Sequence, residues 1–487
     1  MSILHTSLFA SSIPGTIGAG FHNVGGHGVL RASNEAMVKK VELHYGERCG
    51  HLPLDARNIG VLVELSTTGI RTQIAYLSQL FGKDILPITF DEFKAANQDA
   101  TAHPPLVVPY INVPETETYV RDELGAETWG LPGKITSVLK NKADFYQLAD
   151  ELHLDGFYPP DYTISRISTV VQETHHFLSW VEDVYKEAGI AHIYPLGVML
   201  RAAESDGNYG CCLIYEHKGQ IVLIPNGDAE NAHYYTGWNE ALAASQAHLV
   251  STMNLQKEER IVISRYIDFV DSPGMSVVIM DGQIESLRWN GQLQKQGSKA
   301  CIGTSTYLPK NAYLQLMRQQ YEDETTAFFE AFLRKTAEKC GVDFASLRGV
   351  ANIDIMLPGV LEKKLQKHRK QVPANYLAEC NPRWTNYTDA IMTVLGANRK
   401  EPTVYNMKAV IQEGICTFDK HPLPANVSPQ IIREGIRQRD DILRRHGTRM
   451  ICRMAHNPMG LIFAGNLHEA QQEFDDLLTT LSTKSIP

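Results

Sequence analysis

Two apolar runs, each broken by a polar residue at every second position, limit what this chain can build. The first is Gly349-Val350-Ala351-Asn352-Ile353-Asp354-Ile355-Met356 and the second is Tyr376-Leu377-Ala378-Glu379-Cys380-Asn381, ended by Pro382-Arg383-Trp384. As strands, the period of two puts Asn352 and Asp354 on one face, and Glu379 and Asn381 on one face. Pro382 ends the second ladder because it has no N–H to donate. If the two strands pair, Asp354, Glu379 and Asn381 surround a single cation. Magnesium suits such a set, being a hard ion that takes oxygen ligands, one or two carboxylates, and phosphate oxygens in the remaining positions. Arg383 would then hold a phosphate oxygen. The plainer reading is two ordinary strands whose acids face water.

Composition narrows the classes. A chain of 487 residues is too long for one core and divides into two to four domains. Hydrophobic residues at 43% and charged residues at 21% place it among globular proteins. A net charge of -9, with Lys363 to Lys370 the one extended basic stretch, argues against a nucleic-acid partner. That stretch reads as a solvated hairpin or helix, placed where it could steer an anion. The cysteines at 49, 211, 212, 301, 340, 380, 416 and 452 lack zinc-site spacing and suit a reducing cytoplasm. No secretory signal is evident at the N-terminus, and no run is long enough to cross a bilayer, so no membrane partner is expected.

Four further segments carry candidate chemistry. Asn141 reads as the cap of a helix that starts at Lys142 and runs toward Gly156 and Pro159-Pro160, with Lys140 the alternative basic residue. Ile193 to Arg201 reads as a buried strand entering the loop Ala202-Ala203-Glu204-Ser205-Asp206-Gly207-Asn208-Tyr209-Gly210, whose Gly207 and Gly210 would let backbone N–H groups approach phosphate. Arg260 to Asp268 reads as a strand containing Arg265 and Tyr266. Leu287 to Gln292 reads as another strand, with Arg288, Asn290 and Gln292 on one face. Residues 1–135 alternate strand-like runs at 60–65 and 105–110 with a helix at 72–81, an α/β pattern. A glycine cluster at 15–20 and 25–28 reads as a loop near a ligand, although its spacing makes a poor dinucleotide site. Helices are expected at 429–445 and 467–481, with strands at 450–454 and 461–464 between them.

The Glu379-Cys380-Asn381-Pro382-Arg383 run resembles the Glu-x-Asn-x-Arg signature that closes the nucleotide site of the ATP-grasp ligases. The strand, glycine loop, strand order around Arg201 and the Asn-Lys helix start resemble further parts of that family. The resemblance covers roughly residues 136 to 400 and implies an α/β protein with α+β grasp lobes. On this reading residues 1–135 form an N-terminal α/β, pre-ATP-grasp-like domain, 136–400 the ATP-grasp domain, and 401–487 a small C-terminal α/β appendage. It implies ATP and Mg2+ as cofactors, with Asp354, Glu379 and Asn381 as metal ligands. Lys142, Arg201, Ser205, Gly207, Gly210, Arg265 and Tyr266 would lie at the nucleotide, and Arg383 and Arg288 at the reacting groups. Two departures stand out: Arg201 where the family usually has Lys, and Ser264 where it commonly has Glu. The implied reaction joins a small-molecule carboxylate, such as an amino acid or peptide, to an amine through an acyl phosphate, releasing ADP and phosphate. A carboxylase, a phosphotransferase and a non-catalytic nucleotide-binding protein stay open as alternatives, and a homodimer is the default assembly. Specificity is expected in the N-terminal glycine region, in a loop over 291–309, and in the C-terminal tail.

Overall fold

The computed structural model describes residues 3–9, 17–21, 23, 58–63, 68–98, 104–153, 156–205, 210–294, 301–306, 312–372, 374–421, 427–454 and 459–484. Three sheets organise them. The N-terminal sheet is parallel throughout, in the order Ile85–Ile88, Asn58–Leu62, Ile17–Phe21, Leu106–Pro109, Glu127–Thr128. Val107 and Val108 are both fully buried although they point to opposite faces, as expected of a parallel strand covered on both sides. The helix Thr68–Phe81 supplies one cover through Ile70, Ile74, Leu77 and Phe81, spaced along a single face. The sequence reading of 15–20 as a loop is corrected here: Ile17–Phe21 is the central strand, its small residues lying flat between two neighbours. Gly25 to Gly28 lie outside the described residues.

The second sheet is antiparallel and has six strands, ordered His233–Tyr235, Gln220–Pro225, Cys211–His217, Gly197–Ala202, Arg260–Arg265, Tyr162–Arg166. Alternation divides its residues cleanly. Val198, Leu200, Ile214, Ile261 and Ile263 pack beneath the helices Val170–Glu187 and Trp238–Met253. Met199, Leu213, Tyr215 and Tyr266 form an apolar shelf on the opposite face.

The third sheet has ten strands and carries both acidic runs. Its order is Arg449–Met454, Met459–Ala464, Ile415–His421, Cys301–Thr306, Gln283–Gln294, Gly274–Met280, Arg348–Pro358, Asn375–Asn381, Phe157–Tyr158, with Phe269–Asp271 pairing separately to Arg348–Pro358. Met275, Val277, Ile279, Ile353 and Ile355 face the long helix Ala312–Cys340 through Phe328, Phe329, Phe332 and Leu333. On the other face Val278, Met280 and Val350 join the core shared with the N-terminal sheet. That same face presents Asn352 and Asp354 one and two pleats further along. The 291–309 segment, expected as a loop, instead contains the end of one strand and the whole of another, Gln283–Gln294 and Cys301–Thr306. The C-terminal strands add to this large sheet and make no sheet of their own, so position 400 falls between strands of one layer. The basic stretch at 363–370 falls in the helix Val360–His368 and the turn after it. No helix among the described residues is long and apolar enough to cross a membrane.

Candidate active site

Antiparallel pairing places Asp354 directly opposite Glu379 and Asn352 opposite Asn381. The Asn381 amide nitrogen lies between the two acids, 3.0 Å from Asp354 Oδ2 and 3.4 Å from Glu379 Oε1. Three oxygen-bearing side chains therefore converge, as the alternation predicts. Two of them are acids and the third is an amide; no group of three His, Cys, Asp or Glu side chains suited to a metal occurs among the described residues.

A row of uncharged polar groups supports Asp354 from below. Asn352 Nδ2 donates to Asp354 Oδ1 at 2.8 Å, and Asn352 Oδ1 accepts from Ser276 Oγ and Asn290 Nδ2, both at 3.0 Å. Gly274 completes this floor: a Cβ there would stand 2.7 Å from Asp354 Oδ1, so only glycine leaves the carboxylate its space. Burial, and then the neighbouring Glu379 charge, push the Asp354 carboxyl up to about 7; Asn352, Arg383 and Lys142 pull the other way without overcoming them. Such a carboxyl is stabilised as an anion once a cation arrives.

Cationic groups surround the acids. Lys142 begins the helix Lys142–Leu152, which Asn141 caps by accepting from Ala143 and Asp144 N–H groups at 3.1 and 3.2 Å. Its buried ammonium reaches Glu379 Oε2 at 3.2 Å and donates to the Ser205 carbonyl at 2.5 Å. Arg201 crosses from the six-stranded sheet to donate to the Ala378 carbonyl at 3.0 Å and to Tyr146 Oη, over whose ring its guanidinium lies at 5.3 Å. The buried Arg201 Nε has no hydrogen-bond partner among the described residues. Arg383 donates through Nη2 to Asn381 Oδ1 at 3.0 Å and through Nη1 to Tyr110 Oη and the Trp384 carbonyl. Lys140, Lys142, Glu204, Ser205, Glu379, Asn381 and Arg383 line a cleft, joined by Ile111 from the segment after the strand Leu106–Pro109.

The remaining expected residues divide. Ser205 lines the cleft, with Oγ donating to the Ala202 carbonyl at 2.9 Å. Gly210 holds a positive φ of 72°, and any Cβ would meet the Met253 side chain at 2.8 Å, so this turn demands glycine. Gly207 lies outside the described residues. Tyr266 is on the apolar shelf, its ring 6.4 Å from that of Tyr215 and inclined by 25°. Arg265 is corrected: one residue earlier, alternation turns it to the helix side, where Glu362 takes its Nη2 at 2.9 Å and Asp161 its Nε at 2.8 Å. Its guanidinium belongs to a buried ion network and does not face the cleft. Arg288 is corrected as well. A bulge in the pairing with Gly274–Met280 puts it at a φ of 66° and sends its exposed side chain to a separate groove beside Glu285, Gln319 and Glu322. Asn290, from the same run, is the residue that reaches the site. Tyr110, Tyr146, Asn290 and Asn352 were missed as functional residues. Asn352 and Asn290 could have been found from the alternation alone, whereas Tyr110 and Tyr146 meet the site only through tertiary packing.

The two facing sheets, with acids on paired strands of the larger and Arg201 reaching over from the smaller, agree with the ATP-grasp resemblance in the sequence. The chain is similar to the solved structure of N5-carboxyaminoimidazole ribonucleotide synthetase from Thermus thermophilus at 11% identity and a TM-score of 0.48, covering 95% of this chain and 98% of that one. Biotin carboxylase from Campylobacter jejuni, in complex with an ATP form, matches at 11% identity and 0.48, covering 91% and 93%. D-alanyl-alanine synthetase A from Vibrio cholerae matches at 11% and 0.43, covering 82% and 97%. No family model matches the chain, and no curated protein does. At these scores the functional reading has to stand on the site itself.

Proposed function

We propose that this protein is an ATP-grasp enzyme that joins a carboxylate to an amine, forming ADP and phosphate. The observation that carries the reading is Asp354 facing Glu379 across two strands, with Asn381 between them and Lys142 and Arg383 on either side. The donor set fits magnesium: two carboxylates and one amide oxygen, with room for water and phosphate, around an acid whose ionisation a cation would favour. Asp354, Glu379 and Asn381 would hold the ion, and it would supply positive charge to neutralise the group being transferred.

Each side chain then has a task. Lys142 and Arg201 hold the phosphates, and Ser205 lines the same cleft. The shelf of Met199, Leu213, Tyr215 and Tyr266 offers a flat apolar seat for a base. Arg383 faces the transferred phosphoryl group as it passes to the substrate carboxylate, countering negative charge that grows there. The amine next attacks the activated carbonyl carbon, phosphate leaves, and no protein nucleophile takes part. Substrates of this class are small molecules, and Ile111 lining the cleft supports an acceptor seat on the side of the N-terminal sheet.

The test is product analysis with candidate acid and amine pairs in the presence of magnesium. ADP released only when both substrates are present supports ligation. ADP release without an amine would favour carboxylation or phosphate transfer, AMP would exclude this chemistry, and nucleotide binding without turnover would favour a non-catalytic role. Glu379→Gln should lower turnover about a hundredfold or more by weakening the metal site, with the fold unchanged by circular dichroism.

A further inference from the structure

Tyr110 directly follows the strand Leu106–Pro109 of the N-terminal sheet, yet it touches the arginine of the proposed active site in two ways. Its Oη accepts from Arg383 Nη1, and its ring lies under the guanidinium, 5.1 Å from Arg383 Cζ. Its main chain is fixed as firmly: the Tyr110 N–H donates to the Phe21 carbonyl at 2.7 Å, and its carbonyl accepts from the Trp384 N–H at 3.2 Å. Trp384 stacks on Trp129 at 5.4 Å, and Trp129 Nε1 donates to the Leu8 carbonyl at 2.9 Å. The turn that carries Arg383 is therefore seated on the N-terminal sheet.

Arg383 is held from two sides. Asn381 Oδ1 receives its Nη2, while Asn381 Nδ2 points to Asp354 and Glu379. A cation between those acids needs an oxygen from Asn381, so the amide must turn over. It then presents N–H groups to a guanidinium that can only donate, and that partnership is lost. Tyr110 Oη and the Trp384 carbonyl, both on Nη1, do not depend on the cation.

We infer that Tyr110 is a positioning residue for Arg383, through which the N-terminal sheet keeps that guanidinium aimed into the cleft when Asn381 turns to the metal. The kinetic consequence rests on the ligase reading; the contact itself does not. Tyr110 would contribute to phosphoryl transfer and not to nucleotide affinity.

Two variants separate this from a packing role. Tyr110→Phe keeps the ring and removes the hydroxyl. Trp129→Phe loosens the same seam without touching Arg383. In Tyr110→Phe, kcat should fall about tenfold or more, with ADP affinity by calorimetry and thermal unfolding close to wild type. The Arg383 Nε–Hε resonance, assigned through Arg383→Lys, should shift in Tyr110→Phe and stay in place in Trp129→Phe. Wild-type kcat in Tyr110→Phe, an unmoved resonance, or an equal loss of kcat in Trp129→Phe would each overturn the inference. Failure of every acid and amine pair with wild type would count against the ligase reading alone, because the resonance still reports whether Tyr110 holds Arg383.

Discussion

Asp354 shows how a functional site takes shape against local stability. In the unfolded chain its carboxyl ionises near pH 4, whereas in the fold, without a cation, it is pushed up to about 7. Between these values the folded state binds the extra proton, so stability is greatest below the lower value and declines as pH rises through the upper one. Asp354→Asn removes that titration. The metal-free variant should unfold at a higher temperature than wild type at pH 8, and the advantage should vanish near pH 4. Adding magnesium and nucleotide should stabilise wild type at pH 8 and leave the variant unmoved. Melting curves at the two pH values would check this, and a variant less stable than wild type at pH 8 would contradict it. Arg201 is similarly informative. The family resemblance leads one to expect lysine there, yet the guanidinium lies over Tyr146 and bonds the carbonyl of Ala378 in the strand Asn375–Asn381. Arg201→Lys should raise the nucleotide Kd about tenfold, since an ammonium cannot make both contacts and still face phosphate.

At the scale of strands, the acid pair was legible because period-two alternation is local and survives folding unchanged. Asp354 and Glu379 needed only their own runs to be placed on faces, and the same rule would have found Asn352. The failures have equally physical causes. Arg265 and Tyr266 are expected together, but Arg265 ends its strand pointing to the helix side, while Tyr266 follows the strand and lies on the shelf. Arg288 was lost to a bulge, which inserts a residue and inverts the face without leaving a mark in composition. Ile17–Phe21 was misread because glycine and alanine in a strand interior look like a loop until flanking strands cover them. The 291–309 segment was misread as a loop when the large sheet needed its strands. Gly274 gives this level its own test. Gly274→Ala would put a methyl within 2.7 Å of the Asp354 carboxylate, and the variant should keep its secondary structure while losing most of its turnover. Activity within twofold of wild type would mean the carboxylate has another place to go.

Across the whole molecule, one buried polar network ties the lobes. Arg265 of the small sheet pairs with Glu362, whose Oε2 accepts both from Arg265 Nη2 and from Tyr376 Oη, each at 2.9 Å, and Tyr376 lies in the strand that ends in Asn381. Both members of the Arg265–Glu362 pair are fully excluded from water. Glu362→Ala leaves the buried Arg265 guanidinium with Asp161 as its one acidic partner among the described residues and should cost about 3–5 kcal/mol. Removing Glu434 from its exposed pair with Arg437 should leave melting unchanged. A small loss in Glu362→Ala would show that Asp161 alone can neutralise Arg265.

The continuity of the ten-stranded sheet also bears on how the chain matures. The strand Cys301–Thr306 finds its outer neighbour only at Ile415–His421, which in turn awaits Met459–Ala464. While the polypeptide emerges from the ribosome, that hydrogen-bonding edge stays open until more than a hundred further residues have been made. A nascent chain stalled near position 400 would carry every proposed catalytic group, yet would present a ladder of unpaired amides to any passing strand.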